Sequence, residues 1–327
     1  MAARTLVSLL LPGLLAAAVS TGCSGSTSSS ADPGKPQGAP ALTKEQAQQV
    51  ITSFADGMNR AGYRFNGRAL RTVEADPQLS MDVAALKLRR AVRQRPPKVA
   101  FTHTTFYIPR LTGYPHWFAA DSVTGQGKRA LRHALLFTQA GKGAPWLLAA
   151  DPYPSELALG GIALDPQGYA TPVAPNAKDL AVPPARVPQA HAALLTDGPG
   201  ASGASLLAEG AKTTETYKAL KEGEKSLAAR GVTLSSRFSP SQYNVYGLRT
   251  KDRGAVIWYV LKQNEAYSAA RRGRLTVSGD LVGLAPSASP RTRLDTTVLV
   301  QYLATVPPKG RAAVSGMYRK AITAQGS

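Results

Sequence analysis

Phe101-Thr-His-Thr-Thr-Phe-Tyr-Ile-Pro109 and Val232-Thr-Leu-Ser-Ser-Arg-Phe-Ser-Pro240 lie 131 residues apart and share a threonine, hydroxyl residues and a closing proline. Each is a β-branched and aromatic run of strand composition. Helical periodicity stands before both and strand-like runs follow both, so the chain reads as an internal repeat of an α+β unit. The same offset pairs Asp121 with Asp252.

Ahead of the first run, Thr43 and Gln46 form a capping-box pattern, and Ala47, Val50, Ile51, Phe54 and Met58 recur at helical spacing. Further helical stretches are predicted at 67–75 and from Ser80 to the prolines at 96 and 97. Strands are predicted at 101–108, 116–123, 131–139 and 146–150. In the second half, helices at 189–196 and 214–230 precede strands at 232–238, 243–250, 255–263, 274–282 and 294–306, with a last short helix at 312–324. Eight prolines between 152 and 188 argue against regular structure there. The expected organisation is a first α+β domain at 42–155, a Pro/Gly-rich linker at 156–188 and a second α+β domain at 189–327. Helices followed by a curved, mainly antiparallel sheet resemble the cone-shaped NTF2-like (nuclear-transport-factor-2-like) and cystatin-like folds. That resemblance concerns fold and carries no function.

The N-terminus addresses compartment. Residues 1–22 contain Arg4, an apolar run from Leu6 to Val19 and a small-residue end, which is the layout of a signal peptide. The run is shorter than the roughly 20 residues of a membrane span. Val19-Ser-Thr-Gly-Cys23 resembles the bacterial lipoprotein lipobox, making Cys23 the expected site of diacylglyceryl attachment. It is the single cysteine, so no intramolecular disulfide exists. Residues 23–41 read as a lipidated cysteine and a disordered Ser/Gly/Pro stalk. The lipobox, the stalk, Leu42-Thr-Lys-Glu-Gln-Ala47 and Phe106-Tyr-Ile-Pro109 together resemble uncharacterised surface lipoproteins of high-GC Gram-positive (actinobacterial) bacteria. The resemblance implies a location on the outer face of the cell membrane and no mechanism.

Chemistry is sparse. His103, His116, His133 and His191 form no zinc motif, so no metal or cofactor is expected. Gly198-Pro-Gly-Ala-Ser-Gly203 has the letters of a dinucleotide loop but no preceding strand. Neither a Gly-x-Ser-x-Gly elbow nor a Ser-x-x-Lys pair is present. The candidate ligand pocket comprises His103, Tyr114, His116, Trp117 and Phe118.

The chain carries a formal charge of +19. One cluster is Lys87, Arg89, Arg90, Arg93, Arg95 and Lys98; a second is Arg271, Arg272 and Arg274, with Arg291 and Arg293 nearby. Such runs ordinarily suggest nucleic acid, but export replaces that partner with anionic lipids or phosphate-bearing wall polymers. The leading expectation is a non-catalytic, lipid-anchored binding or scaffolding protein at the membrane and wall interface. The alternatives are an exported hydrolase or wall-modifying enzyme, and a binder of a small apolar ligand.

Overall fold

A computed structural model describes residues 38–154, 158–271, 275–285 and 292–326. The signal segment, Cys23, and Arg272, Arg274 and Arg291 lie outside the described residues. The residues from Pro36 onward form one contact unit.

Strand β1 (Ala39–Pro40) begins the described chain. It pairs with β3 (Arg110–Leu111), so these two residues, read as stalk, belong to the folded body. Helix α1 (Lys44–Tyr63) starts at the expected capping box. The Thr43 N–H donates to Gln46 Oε1 at 2.8 Å, and the Gln46 N–H donates to Thr43 Oγ1 at 3.3 Å. The stretch expected to be helical at 67–75 contains only one 3₁₀ turn, Ala69–Thr72. Helix α2 (Gln78–Ala91) follows.

The first sheet has the order β2-β4-β5-β6 and is antiparallel throughout. Its strands are β2 (Thr102–Tyr107), β4 (His116–Thr124), β5 (Leu131–Gln139) and β6 (Leu147–Ala150). Strand β2 is an edge, and a register shift between Thr102 and Thr105 leaves His103 exposed in the left-handed region at φ 53°. One side of this sheet packs on α1. Ile51 and Phe54 meet Phe118, Phe137 and Leu148 in one cluster, where each fully buried large side chain contributes roughly 1.5 to 3 kcal/mol.

The second sheet runs β7 (Tyr153–Pro154), β12 (Ala313–Gly326), β11 (Arg293–Val306), β10 (Ala255–Ala269), β8 (Val232–Pro240). Strand β9 (Tyr246–Arg249) also pairs with the first residues of β10. Two irregularities in the pairing of β11 with β12 add bend and twist. Helix α3 (Val187–Asp197) covers one face, with Leu194 and Leu195 in a cluster with Tyr259, Val300 and Tyr302. Helix α4 (Thr214–Ala228) leads into β8. The outer backbone of β8 is engaged by α3, since the Phe238 N–H donates to Thr196 Oγ1 at 2.8 Å.

The two sheets do not stand apart as separate cones. Trp117 and Leu136 of the first share a cluster with Leu248, Val256, Trp258 and Leu303 of the second. The Trp258 indole N–H donates to the Ala134 carbonyl at 2.9 Å, linking β10 to β5. The segment read as a linker takes part in this core. Leu159, Ile162 and Ala170 are buried in the shared cluster, and Val173, Leu180 and Val182 are buried beneath α3. Its prolines keep it irregular, and single bonds such as the Val173 N–H to the Gly247 carbonyl (2.8 Å) replace a ladder.

Two further expectations change. Residues 312–324 are not a helix but most of β12, whose long antiparallel pairing with β11 overrides the helix propensity of its alanines. The stretch 275–282 is not a strand but irregular chain ending in the 3₁₀ turn Gly279–Leu281, with Gly279 at φ 57°. The halves keep the same order, two helices, an edge strand, a short strand and a three-strand meander. The residue offset holds only on β2 and β8. Asp121 is central in β4, whereas Asp252 lies in the turn before β10, bonded by the Gly254 N–H at 3.2 Å.

Candidate functional site

The five residues of the expected aromatic pocket occupy four separate environments. His103 is exposed at the bulge, and Tyr114 stacks on His116 at the surface with ring centroids 4.0 Å apart. Trp117 and Phe118 are neighbours on a strand and therefore face opposite sides. Trp117 meets Tyr246 at 5.2 Å in the inter-sheet core, while Phe118 stacks on Phe137 at 5.0 Å beneath α1. They line no common cleft.

The basic cluster behaves differently. Helix α1 ends at Arg64, and Phe65 turns into the left-handed region at φ 48°, with the Asn66 N–H bonded to the Ala61 carbonyl at 2.9 Å. Asn66 Oδ1 then accepts from the N–H groups of Arg68 (3.1 Å) and Ala69 (3.3 Å), which starts the 3₁₀ turn carrying Arg71. This turn lies against α2 so closely that a Cβ at Gly67 would sit 3.3 Å from Val83. On α2, Val83, Leu86, Lys87 and Arg90 share one stripe, spaced three, four and seven residues from the first.

Between turn and stripe lies a cleft of about 580 Å³, lined by Arg64, Arg68, Arg71, Lys87 and Arg90, with no carboxylate in the lining among the described residues. Among the described residues none of these five cations forms an ion pair within 4.0 Å. Arg90 is partly occupied, donating to the Phe65 carbonyl at 2.6 Å with its guanidinium 5.9 Å from the Phe65 ring centroid. Favourable placement near a helix C-terminus accounts for Arg89 and Arg90, which lie in the last turn of α2. It does not account for Arg68 and Arg71, which lie outside either helix.

Of the other expected basic residues, Arg93 is exposed at φ 56° just past α2, and Arg95 lies 5.0 Å over the Tyr63 ring. Arg95 and Lys98 line a neighbouring groove of about 240 Å³ with Pro96 and Pro97. Arg271 is exposed just beyond β10. The sequence reading missed Arg64, Arg68 and Arg71. Their spacing of four and three residues was a signal, hidden because Phe65 and Asn66 break the helix between them.

A second polar assembly is buried. His133 lies between Asp151 Oδ2 (2.7 Å) and Thr124 Oγ1 (2.8 Å). Burial opposes charging His133, but the charge and hydrogen bond of Asp151 outweigh it and raise the pKa. The Asp151 N–H donates to Gln301 Oε1 at 2.7 Å, Gln301 donates to Gln78 Oε1 at 2.9 Å, and Gln78 donates to Asp82 Oδ2 at 2.9 Å. The chain of bonds ties α2 to both sheets. Glu74 beside it is 1% exposed, and as a carboxylate it finds no donor for either oxygen. Desolvation first, and the Asp82 charge second, push its carboxyl well above the ordinary range. Among the described residues no group of His, Asp, Glu or Cys is arranged to hold a metal ion.

His191 is a core residue between the Tyr259 hydroxyl and the Lys212 carbonyl, both at 2.8 Å, and burial lowers its pKa to about 4. The Gly198 to Gly203 loop follows α3, not a strand, which removes the context of a dinucleotide site.

A family model of a domain of unknown function, DUF8094, matches residues 38–326. The chain belongs to the DUF8094 family. Among the relatives of this DUF8094 chain is an uncharacterised lipoprotein of Streptomyces coelicolor, 28% identical over 241 residues, covering 71% of this chain and 70% of the relative. Another, from Streptomyces avermitilis, is 26% identical over 280 residues, or 83% and 81% of the two chains. A second Streptomyces coelicolor lipoprotein is 27% identical over 284 residues, or 84% and 80%. No solved structure matches. These relatives agree with a lipid-anchored protein, and no helix among the described residues is long and apolar enough to cross a membrane.

Proposed function

We propose that the chain is a lipid-anchored protein on the outer face of the cell membrane, attached through diacylglyceryl Cys23, whose cleft between α1 and α2 holds phosphate groups of an anionic lipid or wall polymer. The observation that carries this reading is the unbalanced charge of the cleft, five cations and, among the described residues, no lining carboxylate. Arginine forks suit phosphate oxygens, and the Asn66 bonds fix the backbone of the turn at 64–71 that carries three of them. The shared order of helices and strands supports descent of the two halves from one duplicated unit. The hydrolase alternative finds no support at residues 116–118, of which His116 stacks on Tyr114 at the surface while Trp117 and Phe118 divide between two cores.

The test uses the full chain with Cys23→Ala, assayed by co-sedimentation. Probes are vesicles of phosphatidylglycerol with phosphatidylcholine, vesicles of phosphatidylcholine alone, and a soluble poly(glycerol phosphate). At about 1 kcal/mol per cation near an anionic surface, Arg64→Gln, Arg68→Gln and Arg71→Gln together lower retention roughly a hundredfold. Binding to vesicles but not polymer identifies lipid headgroups as the source of phosphate, and the reverse identifies the wall. Undiminished binding by the triple variant overturns the proposal.

A further inference from the structure

A different cleft, about 680 Å³, opens on the face of the second sheet that α3 and α4 cover, beyond the end of the α3 core. Its floor is polar and fully interlocked. Glu265 is 6% exposed; its Oε1 accepts from Gln263 Nε2 (2.9 Å) and Arg319 Nη2 (2.7 Å), and its Oε2 from the Tyr267 hydroxyl and Thr296 Oγ1, both at 3.0 Å. A carboxylate has about four lone-pair sites, so Glu265 has none left for a ligand or a metal ion. Its part is to fix Arg319, whose Nε also donates to Gln263 Oε1 at 3.2 Å.

Arg319 is therefore a pre-oriented cation with N–H donors still unspent, on a side chain 38% exposed. The remaining lining is mixed: Thr276, Ser278 and Asp280 stand beside the aliphatic side chains of Leu227 and Leu281, behind which Val232, Leu275 and Leu294 are buried. Charge narrows the ligand class. Glu265 balances Arg319, Lys320 from outside the lining balances Asp280 at 2.9 Å, and Arg230, just past α4, is the surplus positive group among the described lining residues. One spare positive charge suits a monoanion better than a phosphate dianion, and the cleft volume falls in the range of small-molecule sites.

We propose that this cleft binds a small amphiphile with a carboxylate head, the head on Arg319 and the apolar body against Leu227 and Leu281. The site is separate from the cleft at α1 and α2 and stands without it.

The experiment measures binding of dodecanoate, 1-dodecanol and dodecyltrimethylammonium to the full Cys23→Ala chain by native mass spectrometry and calorimetry. Dodecanoate is expected to bind one to one, and more tightly than the alcohol by about tenfold or more. Arg319→Gln with Glu265→Gln removes both charges of the floor together and should abolish that preference. Leu281→Trp, filling the cleft from its irregular wall, should weaken all apolar-tailed probes. Thermal melts establish that both variants are folded. The Arg64, Arg68 and Arg71 triple variant should bind dodecanoate as the parent does, which separates this site from the other cleft. Equal affinity for the acid and the alcohol overturns the carboxylate assignment. Absence of dodecanoate binding, or binding unchanged in Leu281→Trp, overturns the site.

Discussion

Glu74 shows what one side chain can do to the pH dependence of a fold. Its carboxyl is buried beside the carboxyl of Asp82, so ionisation is disfavoured in the folded chain and free in the unfolded one. The unfolded state thus releases this proton first, and stability falls as pH rises from about 4.5 toward the raised folded value. Asp82, raised by burial, has the same sign. The raised His133 also has that sign, its contribution being complete below about 6.5 and lost as pH climbs through the folded value. Asp165, held low by its backbone bond from Tyr169 and by Arg110 despite some desolvation, acts oppositely and is lost on acidification below about 3.8. Glu74→Gln should therefore melt higher than the parent at about pH 8, by a few degrees for about 1 to 2 kcal/mol, and show a shallower decline from about pH 5. Thermal melts across that range check it, and a lower Tm than the parent at the alkaline end would contradict it. Nothing around Glu74 in the sequence announces this. Its neighbours Asp82 and Asp151 come from the next helix and from the end of the first sheet, whereas the capping role of Thr43 was readable because its partner is three residues away.

Among elements, legibility followed pattern and locality. Strand β5 has the bounds expected from sequence, and β4, β10 and β11 begin within a residue of expectation, because alternating or continuous β-branched runs admit few other readings. Strand β12 did not, since alanines and lysine favour a helix in isolation and only β11 beside it decides otherwise. The proline-rich stretch was misread for the opposite reason, its irregular backbone concealing buried Leu159, Ile162 and Val182. The joint between β10 and β5 is directly testable. Trp258→Phe keeps most of the buried ring but strands the Ala134 carbonyl, which costs about 1 to 3 kcal/mol. Urea denaturation should show a lower midpoint; an unchanged midpoint would mean that the indole bond contributes nothing to holding the sheets together.

For the whole molecule, the site at α1 and α2 was half visible from sequence, as a basic run without its complementary turn. The proposed anchor at Cys23 was read from the lipobox alone, and the lipoprotein relatives support the coarser reading of a lipid-anchored protein. Cys23→Ala in the native host should move the protein from the membrane fraction to the medium, as followed by immunoblot. Retention in the membrane would leave the anchor unsupported. Chains fixed by lipid to one surface would meet at high two-dimensional concentration, where an open sheet edge invites edge-to-edge association. The left-handed His103 bulge interrupts the hydrogen-bonding row of β2, and Thr196 occupies part of that of β8. These two of the outer strands thus resist templating a neighbour, which would help keep a crowded layer of these chains as individual molecules with their clefts open.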